Sequence, residues 1–381
     1  MCGSPASGDP VAREDSPVPS LRSSSSSFED LDLQIDEGKP GTNFRLGLKW
    51  ILSISLALAA IALKLHNFSR PTALDADAEK LQVLYKLSLP ANQQELITLN
   101  NELAGLNPKY ILQWAHFHLH DGADADERNL HPLVQATSFG PTGLVILDHL
   151  ATHNFLETIP VITMDTLHLF LESYVFYDTV QKHYGSDLHL TVTKPIHKTH
   201  GKIFSKEQFQ DVFGSELWRN DHKMYTRLTK LDPMQQKLEE WGAVMWITGR
   251  RRSQGGERGK LDVLEFEPYT NVDSADVSSG NQYDPSRGRW KLNPLAYWSY
   301  DKVWSYIREN SVPYNTLYDK GYTSIGDEMT TSLPESKSSE HGERSGRFTG
   351  FGVSNKECGL HVDLDLDLPG MEVKDDDSIA K

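Results

Sequence analysis

Cysteine is almost absent from this chain, with two in 381 residues, Cys2 and Cys358. Cys2 lies in a Ser-rich leader and Cys358 lies near the C-terminus, so no disulfide framework holds the fold. The pattern is that of a reduced, cytoplasmic chain. An excess of positive charge is also absent. The net charge is -15, with much of the acidity in the first 40 residues and in Asp363–Asp377. That excludes nucleic acid as the main partner, because a phosphate backbone is bound by a basic surface. Apolar residues make up 38%, which is low for a wholly globular chain. The deficit falls at the two ends, which are expected to be disordered. The remainder is long enough for one large domain or two small ones.

A long apolar run is lacking too. Trp50–Leu63 is uncharged, with Lys49 and Lys64 at its ends. A full membrane span needs about 20 residues, reached only if Leu46–Leu65 is counted and both lysines snorkel. A cleaved secretory signal is disfavoured, since the run starts late and follows an acidic leader. A short membrane anchor, a buried or interfacial helix, and a mispredicted exon all stay open. Basic residues balance on the two sides, so no orientation follows. The expected organisation is a disordered leader over 1–43, the hydrophobic segment 44–66, an α/β domain over 75–335, a mobile tail over 336–365 and an acidic end over 366–381.

Periodicity gives the fold class. Leu81, Leu84, Tyr85 and Leu87, then Leu96, Leu99 and Leu103, follow a helical repeat, and Asn107-Pro108 opens a further helix. Short apolar strands are predicted at Leu133–Thr137, Ile159–Met164, Leu188–Val192, Val244–Thr248 and Trp290–Leu295. Helices are predicted at Leu144–His153, His168–His183 and Tyr297–Asn310, and an inserted polar loop over Asn271–Arg289. Strands alternating with helical runs of this length specify βαβ units and a mostly parallel sheet flanked by helices.

Three loops at strand ends carry chemistry. Thr137-Ser138-Phe139-Gly140-Pro141-Thr142-Gly143 joins a strand to a helix, where free N–H groups, hydroxyls and glycine suit an anion. It has no Gly-Lys-Ser/Thr and is not a Walker A loop; the plain alternative is an ordinary βα turn. Asp165-Thr166 ends the next strand and faces either the same crevice or the helix as an N-cap. Thr248-Gly249-Arg250-Arg251-Arg252-Ser253-Gln254-Gly255-Gly256-Glu257-Arg258 places arginines, whose planar fork matches phosphate and sulfate, in a chain of opposite overall charge. A fourth segment, Lys320-Gly321-Tyr322-Thr323-Ser324-Ile325-Gly326-Asp327, reads as a loop and says little by itself. Cys358 stands in Lys356-Glu357-Cys358-Gly359-Leu360-His361, and the nearby Lys356 and His361 favour the nucleophilic thiolate. A surface cysteine with no role is the alternative. Together these elements suggest a reaction on an anionic nucleotide.

From about Leu99 to His361 the chain resembles the phosphoadenosine phosphosulfate (PAPS) reductase family. The resemblance rests on Ser138-Phe139-Gly140, Asp165-Thr166, Gly249–Arg258, Tyr318–Asp327 with Thr330-Thr331, and Glu357-Cys358-Gly359-Leu360-His361. It implies an adenine nucleotide α-hydrolase-like fold and reduction of 3'-phosphoadenylyl sulfate to sulfite by thioredoxin, in sulfate assimilation. The implied nucleotide contacts are Ser138, Phe139, Gly140, Gly143, Asp165 and Thr166. The implied phosphate and sulfate contacts are Gly249, Arg250, Arg251, Arg252, Gln254 and Arg258, with Lys320, Gly321, Tyr322 and Arg347. Cys358 is the implied nucleophile with His361 beside it, and a homodimer is implied. Gly256 and Leu167 depart from the family pattern without removing a charged contact. The sister adenylyl-sulfate (APS) reductases hold a [4Fe-4S] cluster on four cysteines; the corresponding positions here are Tyr225, Thr226, Asp327 and Thr330. Such a cluster needs four thiolates, so no cofactor or metal is expected. The rival readings are an adenylyltransferase of the FAD synthetase type on the same fold, and an inactive, membrane-tethered nucleotide-binding protein.

Overall fold

The computed structural model describes residues 79, 81–120, 130–197, 199–269, 283–334 and 342–348. All belong to the second of two compact units, Met1–Arg70 and Pro71–Lys381. The leader, the 44–66 segment, the acidic end, Cys358 and His361 lie outside the described residues. No described helix is long and apolar enough to cross a membrane.

The centre is a sheet of six strands in the order β3-β2-β1-β6-β8-β7. These are β1 (Leu133–Ala136), β2 (Val161–Met164), β3 (Leu190–Thr193), β6 (Met245–Ile247), β7 (Leu264–Pro268) and β8 (Gly288–Leu292); β4 (Ile196–His197) and β5 (Gly201–Lys202) form a separate antiparallel pair. The strands β3, β2, β1, β6 and β8 are mutually parallel, and β7 runs antiparallel to β8 at the edge. The central strands read as continuous apolar runs because both faces of the sheet are covered. On one face lies the helix α3 (Pro141–Thr152), where Leu144 to Leu147 are fully buried. It packs against α2 (Pro108–His120) and α9 (Tyr300–Glu309), which follow the leading helix α1 (Gln93–Leu103) and close the main core. On the other face Met234 and Leu238 of α8 (Asp232–Glu240) meet Val134, Ile162 and Trp246. Each large side chain buried in this way contributes roughly 1.5–3 kcal/mol.

Several boundaries differ from the sequence expectation for local reasons. The helix predicted from His168 begins at Leu171 as α4 (Leu171–Tyr184), because Leu167 adopts φ 66 and turns the chain first. The strand predicted to Leu295 ends at Leu292, since the Asn293 side chain bonds Thr248 and the Asp262 carbonyl and bends the backbone away. The edge strand β7 was not anticipated. Its Leu264 and Phe266 alternate with Glu265 and Glu267, a strand pattern that the sequence does carry, and the two glutamates pair with Arg250 and Lys291.

This strand order fixes where a ligand sits. From β1 the chain winds outward through β2 to β3, then crosses back so that β6 lies on the other flank of β1. The loops leaving β1 and β6 therefore diverge and open a crevice at the carboxyl ends of the strands, the usual ligand position in open α/β sheets.

Candidate active site

The β1–α3 loop forms one wall of this crevice. Thr137 Oγ1 accepts a hydrogen bond from the Phe139 amide (2.9 Å), and Phe139 takes φ 53, its ring buried against Phe176 and Tyr177. A bulky residue in the left-handed region is strained and is held there by its surroundings. The turn presents the first turn of α3, which begins with Gly140 and Pro141 and which no side chain caps. Its amides and the helix dipole face the crevice and favour an anion. The opposite wall comes from the β6 loop. A Cβ on Gly249 would meet the Gly143 amide nitrogen at 3.1 Å, so glycine there lets the two walls approach closely, while one on Gly143 would strike Thr137 Oγ1 within its own loop.

Two further segments close the cleft. The loop Thr323–Asp327 is tied down by a backbone bridge between Leu169 and Asp327, with the Glu328 amide donating to the His168 carbonyl (2.8 Å). A strap over residues 342–348 crosses beside it. The Ser332 amide donates to the Gly346 carbonyl and the Phe348 amide to the Thr330 carbonyl, both at 2.8 Å. Arg347 lies against Gly326 and donates to the Ile325 carbonyl (2.8 Å).

The lining carries the charge. Lys230, Arg250, Arg251, Arg258, Arg344 and Arg347 face the cleft, against the two carboxylates of Asp327 and Glu343. Lys230 pairs with Asp327 at 2.6 Å, and Asp327 also accepts from Thr166 Oγ1 at 2.7 Å. Burial pushes the Asp327 carboxyl up, but Lys230, Thr166 and Arg347 outweigh it and hold the group below its usual range. Arg250 pairs with Glu265, which Asn293 Nδ2 also holds at 2.8 Å. Arg251, 1% exposed, bonds Thr142 Oγ1 at 2.9 Å and Glu343 at 2.5 Å. Arg258 donates to Gln254 at 2.5 Å. A concavity lined by four more cations than carboxylates is built to hold a multiply charged anion.

Of the residues singled out from sequence, Ser138, Gly140, Gly143, Thr166, Gly249, Arg250, Arg251, Gln254, Arg258 and Arg347 line this one cleft. Others stand outside its lining. Phe139 is packed inward. Asp165 accepts from the Leu167 amide and the Tyr174 hydroxyl, both at 2.8 Å, and pairs with Lys194, so it organises the turn after β2. Arg252 points away to Asp262 and the Leu261 carbonyl. Lys320 is bound to Glu172 on the surface, Gly321 takes a turn at φ 97, and Tyr322 packs edge-on to Phe170. Sequence reasoning gave no role to Lys230, Glu343 and Arg344. Lys230 sits in a π-helical turn, Arg227–Leu231, a feature frequent at functional sites but invisible in the periodicity. The run Gly342-Glu343-Arg344-Ser345-Gly346-Arg347 is a glycine-punctuated basic segment that could have been flagged on the same grounds as the β6 loop. Among the described residues, no group of three or more His, Cys, Asp or Glu side chains is placed to hold a metal ion.

Comparison with known proteins bears on the family and the fold. A phosphoadenosine phosphosulfate reductase of Emericella nidulans is 37% identical over 265 residues, covering 69% of this chain and 74% of that protein. An adenosine 5'-phosphosulfate reductase of Salinibacter ruber is 32% identical, covering 72% and 91%. The crystal structure of a phosphoadenylyl-sulfate reductase from Candida auris, in a phosphate complex, superposes with a TM-score of 0.50 at 34% identity, over 64% of this chain and all of that one. The fold is thus of the adenine nucleotide α-hydrolase-like type. Residues 132–333 match the phosphoadenosine phosphosulfate reductase domain, and the chain belongs to that family.

Proposed function

We propose that this chain reduces 3'-phosphoadenylyl sulfate to sulfite and adenosine 3',5'-bisphosphate with thioredoxin as reductant. The observation that supports it most is the set of six cationic side chains at the β1/β6 switch point, facing an uncapped helix N-terminus. The nucleotide lies across the strand ends, its charged groups on Arg250, Arg251, Arg258, Arg344, Arg347 and Lys230.

The chemistry runs through Cys358. Its thiolate attacks the sulfur of the sulfonyl group. The bond from sulfur to the phosphate oxygen breaks, and its electron pair leaves with adenosine 3',5'-bisphosphate. The cysteine S-sulfonate is then attacked at Cys358 Sγ by a thioredoxin thiolate, sulfite departs with the bonding pair and a Cys358–thioredoxin disulfide is left; the second thioredoxin thiolate attacks the thioredoxin sulfur of that bond and expels the Cys358 thiolate. Thioredoxin supplies the two electrons. His361 and Lys356 favour the Cys358 thiolate.

The four positions that correspond to cluster cysteines do not fit a [4Fe-4S] cluster. They hold Tyr225, Thr226, Asp327 and Thr330, and the whole chain has two cysteines. The space is filled by protein: Lys230 pairs with Asp327, and its ammonium lies 5.8 Å from the Tyr225 ring centre. This supports the cluster-free mode and a preference for PAPS over APS, because a 3'-phosphate gives the cationic cleft more charge to match. A homodimer is part of the same reading.

Purified protein, PAPS and reduced thioredoxin should release sulfite, with kcat/KM lower for APS. No sulfite from either substrate would refute the activity, and equal kcat/KM would refute the preference. Gel filtration with light scattering of the full chain should return twice the 42.9 kDa chain mass; a monomer would exclude the dimer.

A further inference from the structure

Glu343 is held differently from the other acids around the cleft. Asp327 is bound by both Lys230 and Thr166, and Glu265 by both Arg250 and Asn293. Among the described residues, Glu343 has Arg251 as its one hydrogen-bond partner, at 2.5 Å. The strap that carries it is fastened by its own backbone bonds to Ser332 and Thr330, so its path does not depend on that side chain.

Arg251 is the opposite case, fixed on every side but one. Its Nε donates to Thr142 Oγ1 (2.9 Å) in the first turn of α3, and its Nη1 to Ser253 Oγ (2.6 Å) and the Trp298 carbonyl (3.3 Å). Only Nη2 is directed at Glu343. The Arg251 side chain is 1% exposed and that of Glu343 10%. A buried guanidinium left without an anion is strongly unfavourable. Arg251 therefore requires a negative group at Nη2 in every state of the protein, and the cleft around it is shaped for a ligand that brings one.

We propose that Glu343 is a built-in surrogate for the ligand's anion. Its carboxylate holds Arg251 Nη2 and is exchanged for a tetrahedral phosphate or sulfate group when ligand binds. The exchange conserves the charge at Arg251 and makes Glu343 a determinant of selectivity. An entering group must displace a carboxylate already in place. A dianionic tetrahedral group, which offers more acceptor oxygens and more charge, does so more readily than a monoanion. The inference rests on the reading of this cleft as an anionic-nucleotide site, not on turnover.

The test is a titration of full-length protein with inorganic phosphate and with adenosine 3',5'-bisphosphate, by calorimetry and by thermal shift. Glu343→Gln keeps the shape and removes the competing charge. It should bind at least one of the two probes roughly tenfold more tightly than wild type, the gain of one unopposed charge-assisted bond. Tightening toward both probes would mean that a free anion suffices. Tightening toward the nucleotide alone would mean that the nucleoside positions the displacing group. Either result supports the exchange. Glu343→Ser, which also opens space, guards against misfolding of the first variant. Both variants should melt below wild type without anion and gain more from added phosphate than wild type does. Unchanged or weaker binding of both probes by folded variants would overturn the proposal, whatever the outcome of the sulfite assay.

Discussion

Lys230 and Asp327, ninety-seven positions apart, form an ion pair of 2.6 Å with side chains 8% and 1% exposed. It joins the π-helical turn before α8 to the loop that covers the cleft. The pair is worth little as a gain over apolar packing, but removing one partner strands the other, at a cost of about 3–5 kcal/mol. Asp327→Asn should lower unfolding stability in urea by that amount. The pair's acid limb has a definite sign. The Asp327 carboxyl is held below its ordinary value, so its contribution is complete above the unfolded value near 3.8 and is lost as pH falls through the folded one. The variant should therefore lack part of the wild-type loss of stability below about pH 4. A variant as stable as wild type at pH 7 would contradict this account of the loop's anchor.

Cys358 is expected to carry the covalent step. Cys358→Ser should release no sulfite and still bind adenosine 3',5'-bisphosphate with wild-type affinity. Mixed with PAPS in the absence of thioredoxin, wild type should gain the mass of one sulfonate and the variant none. Full turnover by the serine variant would end the mechanism.

The sequence made the loops of this site readable and its pairings not. Ser138–Gly143 and Gly249–Arg251 stood out because each follows a short apolar strand and carries a residue type with one evident use there. Within the arginine run, however, residue type does not tell direction. Arg250 and Arg251 both line the cleft, paired to Glu265 and Glu343, while Arg252 leaves it for Asp262 as the chain enters the 3-10 turn Arg252–Gln254. Asp165 looked like a ligand contact and is instead tied to the Leu167 amide, Tyr174 and Lys194. Lys230 and Glu343 were missed since their partners lie 97 and 92 positions away. Helical and strand periods report neighbours three or four residues off, so contacts at that distance appear only once the sheet order is known.

Residues 44–66 are proposed to tether the catalytic unit to a membrane, on the cytosolic side where Cys358 stays reduced. The motive is the apolar Trp50–Leu63 run, apolar all round and not on one face alone. Deleting residues 1–70 should leave sulfite release intact and move the protein from the membrane pellet to the supernatant on ultracentrifugation. Full-length protein found wholly in the supernatant would exclude the tether.

His149 lies in α3, the helix whose first turn lines the cleft, and gives the fold an acid sensitivity at mild pH. It is 7% exposed, neither ring nitrogen has a hydrogen-bond partner among the described residues, and its ring packs 4.8 Å from that of Tyr306. Burial, then His153 and Lys109, lowers its pKa to about 4 from an unfolded value of 6.5. Between these two values the unfolded chain binds the proton and the folded one does not, so stability rises with pH across the window and is free of the penalty above 6.5. At about 1.4 kcal/mol per pH unit, the loss on acidification from 6.5 to 4 is on the order of 3 kcal/mol. His118, His131, His168 and His222 are also lowered by burial and add to the same limb. His149→Gln should therefore flatten the stability profile between pH 4 and 6.5 without abolishing its slope. Urea midpoints measured at half-unit pH steps decide the point: parallel curves for variant and wild type would show that His149 is not the group that titrates.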